Sequence, residues 1–226
     1  MSTCYIRSFD PVADKSYKKT LIDRLIMIKS ELTHSEFQFS HRYGGISVSA
    51  TGADKCWCVR FKFIDYEKHP KRWKRQAVPL TDAQEDWLFE LACIYAGIVE
   101  DVRFKEFVVY SILQGSLDLP RNITCQDECF FTDYAWDYDT FGVIVCNISH
   151  RRILPGASHK VWCSEFVAIL LKEVWHDFVT HPDSLRPDNL YERWEEFEAI
   201  AYERSNDALI KPEYRKYADT RTGEKL

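Results

Sequence analysis

A cysteine at the start of a predicted helix is the strongest candidate for chemistry in this sequence. Apolar residues recur at helical spacing after Cys163, and they predict an amphipathic helix that begins at or just after it; they are Phe166, Val167, Leu170, Leu171, Val174 and Phe178. A helix N-terminus carries unpaired backbone N–H groups and the positive end of the helix dipole, which stabilise a thiolate. Because the thiolate is the nucleophilic form of cysteine, Cys163 is a candidate nucleophile.

A nucleophilic cysteine needs a nearby base, and His34 is the best placed histidine. It opens a segment with strand-like alternation, and a strand holds a side chain more firmly than a loop does. His176 lies thirteen residues after Cys163 on the same predicted helix, about 20 Å along its axis, which is too far for proton transfer. The remaining histidines fall in predicted turns or loops: His41, His69, His150, His159 and His181. The alternative is a buried structural cysteine and a histidine bonded to backbone.

Segments in which polar and apolar side chains alternate predict the sheet that holds His34. They are residues 33–39, 46–51 and 57–63, with a fourth short strand at residues 77–80. Glycine-containing turns separate the first three, which therefore form an antiparallel meander. With the Cys163 helix, these strands predict an α+β fold: a small antiparallel sheet or half-barrel packed on that helix, with extra helices around it.

Helical spacing and turn residues assign the rest of the chain. Helices are predicted at residues 18–32, from the capping box of Thr81 and Gln84 to Gly97, at 103–114, as a short helix or helix pair at 136–145, and at 189–204. The expected limits are an irregular N-terminal arm at residues 1–16, one domain at 17–182 with an insertion near 116–133, and a C-terminal helix and tail at 183–226.

Composition is that of an ordinary globular protein. Of 226 residues, 46% are hydrophobic and 29% charged, which is enough to form a core without a metal or disulfide. The net charge of −5 gives no reason to expect a nucleic-acid partner. The longest apolar runs are far shorter than the ~20 residues that cross a bilayer, and no signal peptide is recognisable. We therefore expect a protein made in the cytoplasm, with its eight cysteines as free thiols.

Two other clusters permit a function without favouring one. Cys56 and Cys58, together with Cys125 and Cys129, supply four thiols, but neither spacing is the tight Cys-x₂-Cys of a zinc ribbon. Free thiols are the favoured interpretation, so we expect no metal and no cofactor. Residues 67–75 form a basic segment with one tryptophan that could meet a polyanion, but a solvated loop is favoured.

Four segments, in this order, resemble those of the permuted papain-like cysteine hydrolases, the YiiX-like branch of the NlpC-type superfamily, which includes bacteriophage versions. They are THSEFQF at 33–39, WDYDTFG at 136–142, VWCSEFVAILL at 161–171 and RPDNLYE at 186–192. In this group the papain order is permuted, so the histidine strand precedes the cysteine helix. The resemblance implies a circularly permuted papain-like domain, with Cys163 as the nucleophile and His34 as its base.

A third polar group must orient the imidazole in such an enzyme. Related enzymes place it on the strand after the histidine strand, where this sequence offers Ser47, Ser49 and Thr51. Glu36 is the alternative, because it lies on the same side of its predicted strand as His34. The competing interpretation of Glu36 is an exposed strand carboxylate.

The resemblance also suggests the surroundings of the nucleophile. Tyr138 and Asp139 are expected near the site, and with Trp162 they are the expected substrate-binding residues. Glu165, in the first turn of the helix, is expected to cap free N–H groups, a structural role. The oxyanion hole is expected to use the backbone N–H of Cys163 and a neighbouring group.

The expected reaction is acyl transfer to water through a Cys163 thioester, with His34 as base and then as acid. Amide bonds of peptides or of peptidoglycan stem peptides are the first expected substrates, and acyl lipids are the second. The alternative is a catalytically weak or inactive structural or interaction protein of the phage type, with virion partners and a virion location. A zinc-stapled binding module is a third hypothesis.

Overall fold

The chain folds as an α+β protein around one curled sheet that forms a half-barrel. The computed structural model describes residues 2–28, 30–52, 56–98, 104–108, 123–126, 129–140, 159–178 and 181–206. Its strands are β1 (Ser2–Phe9), β2 (His34–Gln38), β3 (Ser47–Thr51), β4 (Cys58–Lys62), β5 (Trp73–Leu80), β6 (Thr124–Gln126), β7 (Cys129–Phe131), β8 (Asp137–Tyr138) and β9 (Lys160–Val161). The order is β5-β1-β2-β3-β4-β7-β6, and β8 pairs with both β4 and β9. The predicted α+β class, the half-barrel and the three-strand meander are confirmed.

Most of the helices lie where local sequence signals predicted them. They are α1 (Leu21–Ile26), α2 (Asp82–Tyr95), α3 (Cys163–Val174) and α4 (Pro187–Asn206), and residues 104–108 are also helical. The capping box of α2 is confirmed, because the Thr81 N–H donates to Gln84 Oε1 (2.9 Å) and the Gln84 N–H donates to Thr81 Oγ1 (3.2 Å). In the described part of the chain, no helix is both long and apolar enough to cross a bilayer.

The two faces of the sheet differ in polarity because side chains alternate along each strand. One face is apolar and includes Ile6, Phe37, Val48 and Phe61. It packs against α2 and α3, which contribute Phe89 and Phe166 to the same core. The other face carries charged and hydroxyl groups, including Arg7, His34, Glu36, Ser49 and Arg60. The candidate site therefore lies on the polar face of a sheet whose opposite face forms the core.

Pairing between β2 and β3 is short, and this brings α3 to the site. The paired residues are Phe37 with Val48 and Gln38 with Ser47, so the described ladder stops before the start of β2. Helix α3 contacts both strands, and its first residue reaches His34 at that end. The interruption in the ladder thus places a helix N-terminus beside the first residue of β2.

The predicted irregular arm at residues 1–16 is wrong for residues 2–9, which form β1 between β2 and β5. Alternate residues of β1 are buried, but three of them are Ser2, Cys4 and Ser8, whose small polar side chains hide the period of two. The predicted strand at residues 77–80 is also longer, because β5 begins at Trp73 and includes the end of the predicted basic loop.

Three other assignments change where segments join the sheet or the core. Part of the predicted insertion is the hairpin of β6 and β7, which extends the sheet beyond β4. The predicted helix at residues 136–145 begins instead as strand β8. Helix α4 packs on the main core, with the Trp194 indole N–H donating to the Ala77 carbonyl (3.0 Å). The predictions for residues 109–114, 116–122, 141–158 and 207–226 lie outside the described residues.

Candidate active site

Cys163 and His34 are in contact although 129 positions separate them in sequence. Cys163 is the first residue of α3, carries a free thiol and is only 1% exposed. Its thiol lies beside the imidazole of His34, the first residue of β2, whose side chain is 18% exposed. The structure therefore brings together the two residues that the sequence nominated as nucleophile and base.

The imidazole of His34 is held at its Nε2 atom. This atom lies 3.0 Å from Glu36 Oε1 and 3.1 Å from Ser49 Oγ. Because a carboxylate only accepts hydrogen bonds, Nε2 carries the hydrogen and donates it to Glu36. Nδ1 is then the ring nitrogen left for the thiol of Cys163.

Glu36 is the centre of a buried polar network. Its side chain is 1% exposed, and it accepts hydrogen bonds from Arg60 Nη2 (3.0 Å) and from the Tyr66 hydroxyl (2.7 Å) as well as from His34. Ser47 Oγ is 2.6 Å from the Tyr66 hydroxyl oxygen. Because the Tyr66 hydroxyl donates its hydrogen to Glu36, Ser47 is the donor in this contact and helps to hold the Tyr66 hydroxyl in place. The interpretation of Glu36 as an exposed strand carboxylate is therefore wrong.

The network decides the charges of the site. Burial opposes ionisation of Glu36, but the Arg60 charge and the hydrogen bonds from His34 and Tyr66 outweigh it and lower the pKa of Glu36 to about 2. Burial likewise lowers the pKa of His34, but the charge and hydrogen bond of Cys163, together with Glu36, outweigh it and raise the pKa to about 9. An ionised Glu36 therefore supports a positively charged imidazolium at neutral pH, beside the sulfur of Cys163.

Several backbone hydrogen bonds fix the start of α3. The Trp162 N–H donates to Glu165 Oε2 (3.3 Å), which confirms the capping role predicted for Glu165. The Trp162 indole N–H (3.1 Å) and the Ser164 hydroxyl (2.6 Å) both donate to the Leu185 carbonyl. Because the Trp162 side chain is buried and bonded in this way, it packs in the core and does not fit the expected role in substrate binding.

Tyr138 and Asp139 are positioned by the pairing of β8 with β9, directly before Cys163. Tyr138 is opposite Val161, and the Asp139 N–H donates to the Val161 carbonyl (2.9 Å). Burial, followed by the charges of Cys163 and Asp139, raises the pKa of Tyr138 well above its usual value, so its phenol stays neutral. Tyr138 lines a cavity beside His34, whereas Asp139 is buried behind it.

A cavity of about 380 Å³ lies beside the imidazole. His34 and Glu36 form part of its wall, and the apolar part comes from widely separated segments: Phe9, Ile26, Trp57, Ile64, Trp73 and Tyr138. This volume is within the range of roughly 300–1,000 Å³ found for small-molecule sites. The candidate base, which lies beside Cys163, thus adjoins a space that a small apolar group can occupy.

The structure unites Cys163, His34, Glu36 and Ser49, and it places Ser47 one hydrogen bond further away, behind Tyr66. Sequence reasoning missed Arg60 and Tyr66. Arg60 had a signal, because it lies on the polar side of the third predicted strand, facing the same way as Ser49. Tyr66 had no such signal, since it is the first residue of a 3₁₀ turn between the predicted strand at residues 57–63 and the basic segment at residues 67–75.

Three other cysteines, Cys56, Cys58 and Cys129, form a separate buried cluster. Burial raises the pKa of both Cys58 and Cys129 to about 12, which keeps these thiols protonated. Within the described residues, no group of three or more His, Cys, Asp or Glu side chains is arranged to hold a metal ion.

The fold and the site together define an α+β protein whose half-barrel presents a Cys-His-Glu cluster beside an apolar cavity. Comparison with known proteins adds no family to this description: no protein-family model matches the chain, and no curated protein or solved structure does so either.

Proposed function

We propose that this protein is a cysteine hydrolase of the permuted papain-like type that cleaves amide or ester bonds through a thioester on Cys163. The observation that carries the proposal is the contact between the Cys163 thiol and an imidazole whose other nitrogen is held by a buried, ionised carboxylate. A helix N-terminus and a raised histidine pKa both favour the thiolate–imidazolium pair, which is the reactive form of such a site.

The reaction has two steps. In the first, Cys163 Sγ attacks the carbonyl carbon of the substrate, and the tetrahedral intermediate collapses as the His34 imidazolium donates its proton to the leaving amine or alkoxide. In the second, neutral His34 takes a proton from water, the hydroxide attacks the thioester carbonyl, and the acid product leaves. The thiolate and the imidazolium are thereby restored. The backbone N–H of Cys163 is at a helix position without an intrahelical partner, which suits an oxyanion donor.

Glu36 is the third member of this catalytic group. Its carboxylate fixes the imidazole tautomer and compensates the positive charge of His34 through both steps. Arg60, Tyr66 and Ser47 act through Glu36, because their hydrogen bonds hold its oxygens in place. Ser49 adds a second contact to Nε2.

A second candidate is a structural or interaction protein, including a virion component, that keeps the fold without catalysis. The burial of Cys163 favours it, because a thiol in a residue 1% exposed is poorly accessible to a substrate. The two candidates differ in the reactivity of this thiol. They also differ in partner: an acyl substrate, either a peptide or a lipid, for the hydrolase, and another protein for the alternative.

The rate of cysteine alkylation distinguishes the hydrolase from the structural protein. With limiting iodoacetamide at pH 7, we expect Cys163 to be labelled at least about tenfold faster than Cys93, which is more exposed but lies on α2, outside the site. Peptide mass spectrometry after a time course gives both rates in one sample. The His34→Gln variant should lose the difference. Equal or slower labelling of Cys163 in the native protein would favour the structural protein.

The alkaline pH dependence of acylation is a second test. The raised pKa of His34 means that its proton is present at neutral pH and is lost as the pH rises through about 9. Acylation by hexanoyl p-nitroanilide, whose leaving nitrogen needs a proton, should therefore fall with a midpoint near pH 9 in single-turnover measurements. Acylation by p-nitrophenyl hexanoate should not fall, because p-nitrophenolate leaves without a proton. An anilide rate that still rises at pH 10 contradicts the role of His34 as acid.

A further inference from the structure

We propose that the cavity beside His34 binds a hydrocarbon chain, so that the preferred substrates are esters or amides of aliphatic carboxylic acids. This inference rests on the proposed hydrolase function and specifies its substrate. The cavity would take the acyl side of the scissile bond, the part that remains on Cys163 as the thioester.

The cavity has the chemistry of an acyl-chain site. Helix α1 forms one wall through Ile26, and aromatic rings form another, with Phe9 and Trp73 in contact at a centroid distance of 5.0 Å. The Trp73 ring lies 6.4 Å from that of His34, so the apolar wall continues to the candidate base. A volume of about 380 Å³ has room for on the order of ten water-sized groups, which suits a chain of medium length.

The charged residues of the lining, Asp23, Glu36, Arg60 and Lys62, each interact with other groups of the protein. Glu36 and Arg60 form a buried ion pair at 3.0 Å. Asp23 accepts hydrogen bonds from the Thr33 hydroxyl (3.0 Å) and from Thr20 at the start of α1 (2.8 Å). These contacts leave little demand for a charged group on the ligand, whereas the apolar wall gains from being covered.

The mouth of the cavity carries an exposed aromatic side chain. Trp57 is 51% exposed, and its ring lies 6.3 Å from that of Tyr138. Gly52 makes this arrangement possible, since a Cβ there would lie 2.7 Å from the Trp57 ring and 3.0 Å from the Tyr138 ring. An exposed tryptophan beside an apolar cavity is a surface that a bound hydrocarbon would remove from water.

The position of the cavity connects the chain to the chemistry. His34 and Tyr138 both line it, and both interact with Cys163. Cys163 itself does not line the cavity, so the carbonyl of a chain seated here would have to reach the thiol past the imidazole of His34.

The sheet topology favours an acyl chain over a peptide. An extended peptide binds most readily along a free strand edge. Strands β1, β2, β3 and β4 supply most of the strand residues around the cavity, and each of them lies between two neighbours in the described sheet. Where the ladder between β2 and β3 stops, helix α3 contacts both strands. Of the two strands at the ends of that order, only β5 contributes to the lining, through its first residue, Trp73.

The test is acylation of the full-length protein by p-nitrophenyl acetate, hexanoate, decanoate and 3-phenylpropanoate. Initial p-nitrophenol release gives the rates, each divided by the rate of the same ester with N-acetylcysteine, and peptide mass spectrometry locates the acyl group. We expect the hexanoate to acylate Cys163 roughly 10- to 100-fold faster than the acetate. The aromatic ester should be slower than the hexanoate, and the decanoate rate shows whether the cavity limits chain length.

Trp57→Ala should reduce the ratio of hexanoate to acetate rates several-fold. Trp87→Ala is the matched control, because Trp87 on α2 is similarly exposed, at 46%, but does not line the cavity. Circular dichroism checks that both variants fold. Acylation of Cys163 at the same rate by all four esters overturns the cavity proposal alone. Faster acylation by an N-acetylphenylalanine p-nitrophenyl ester than by the hexanoate also overturns the cavity proposal, because it would indicate a peptide substrate. Failure of every ester to acylate Cys163 instead overturns the hydrolase function.

Discussion

Replacing Cys163 with alanine is expected to lower hydrolysis of p-nitrophenyl hexanoate by at least about 1,000-fold, because the thioester can no longer form. His34→Gln should cost roughly 100- to 10,000-fold, the range for loss of a general acid and base. In the double variant, the two losses should not multiply, because either single substitution already removes the ion pair between the thiol and the imidazole. Steady-state rates of the four proteins form the complete cycle.

The control for this cycle is Cys93→Ala, which removes a partly exposed thiol from α2 and should leave the rate unchanged. Hydrolysis by Cys163→Ala at more than a tenth of the native rate contradicts the assignment of the nucleophile. Fully multiplicative losses in the double variant contradict the contact as the source of activity.

Glu36→Gln is expected to reduce both stability and activity. The substitution leaves the buried Arg60 without its carboxylate partner, and breaking a buried pair costs about 3–5 kcal/mol of the free energy of unfolding. It also removes the charge that supports the His34 imidazolium, so hydrolysis should fall by roughly 100-fold or more. Urea unfolding followed by circular dichroism measures the first effect, and the rate of the folded variant measures the second.

Two further variants separate these effects. Glu85 on α2 is also fully buried and accepts hydrogen bonds from the Ser40 N–H (2.7 Å) and from Arg42, but it lies outside the site. Glu85→Gln should therefore lower stability with little change in the rate of the folded protein. Tyr66→Phe removes one hydrogen bond to Glu36 and should have an intermediate effect on both. Unchanged activity in folded Glu36→Gln excludes Glu36 from the catalytic group.

Sequence patterns predicted the local features of the site well. Strand alternation placed His34 at the start of β2, helical spacing placed Cys163 at the start of α3, and the capping box of Thr81 and Gln84 placed α2. These signals are local, since each depends on residues within one or two turns or strands. The pairing of Cys163 with His34 was first suggested by residue type and predicted position, and the family resemblance strengthened it by supplying an order of elements that periodicity alone does not contain.

The features that the sequence did not reveal depend on contacts between distant segments. Arg60 pairs with Glu36 from two strands away, and Tyr66 reaches the same carboxylate from a turn that precedes β5. Strand β1 was missed because its buried positions include serines, and Trp162 was misassigned because its anchor, the Leu185 carbonyl, lies 23 residues later. The cavity could not be predicted at all, since its walls combine side chains from five strands, from Tyr138 on β8 and from α1.

The order of the segments along the chain has a consequence for the newly made protein. The ribosome produces the base early and the nucleophile late, and β1 must also find β5 before the sheet is complete. Until those long-range pairings exist, Cys163 is an ordinary thiol on a segment with no imidazole beside it. On the proposed function, we therefore expect the Cys163 thiol of a nascent chain to be no more reactive than an ordinary cysteine until folding is complete.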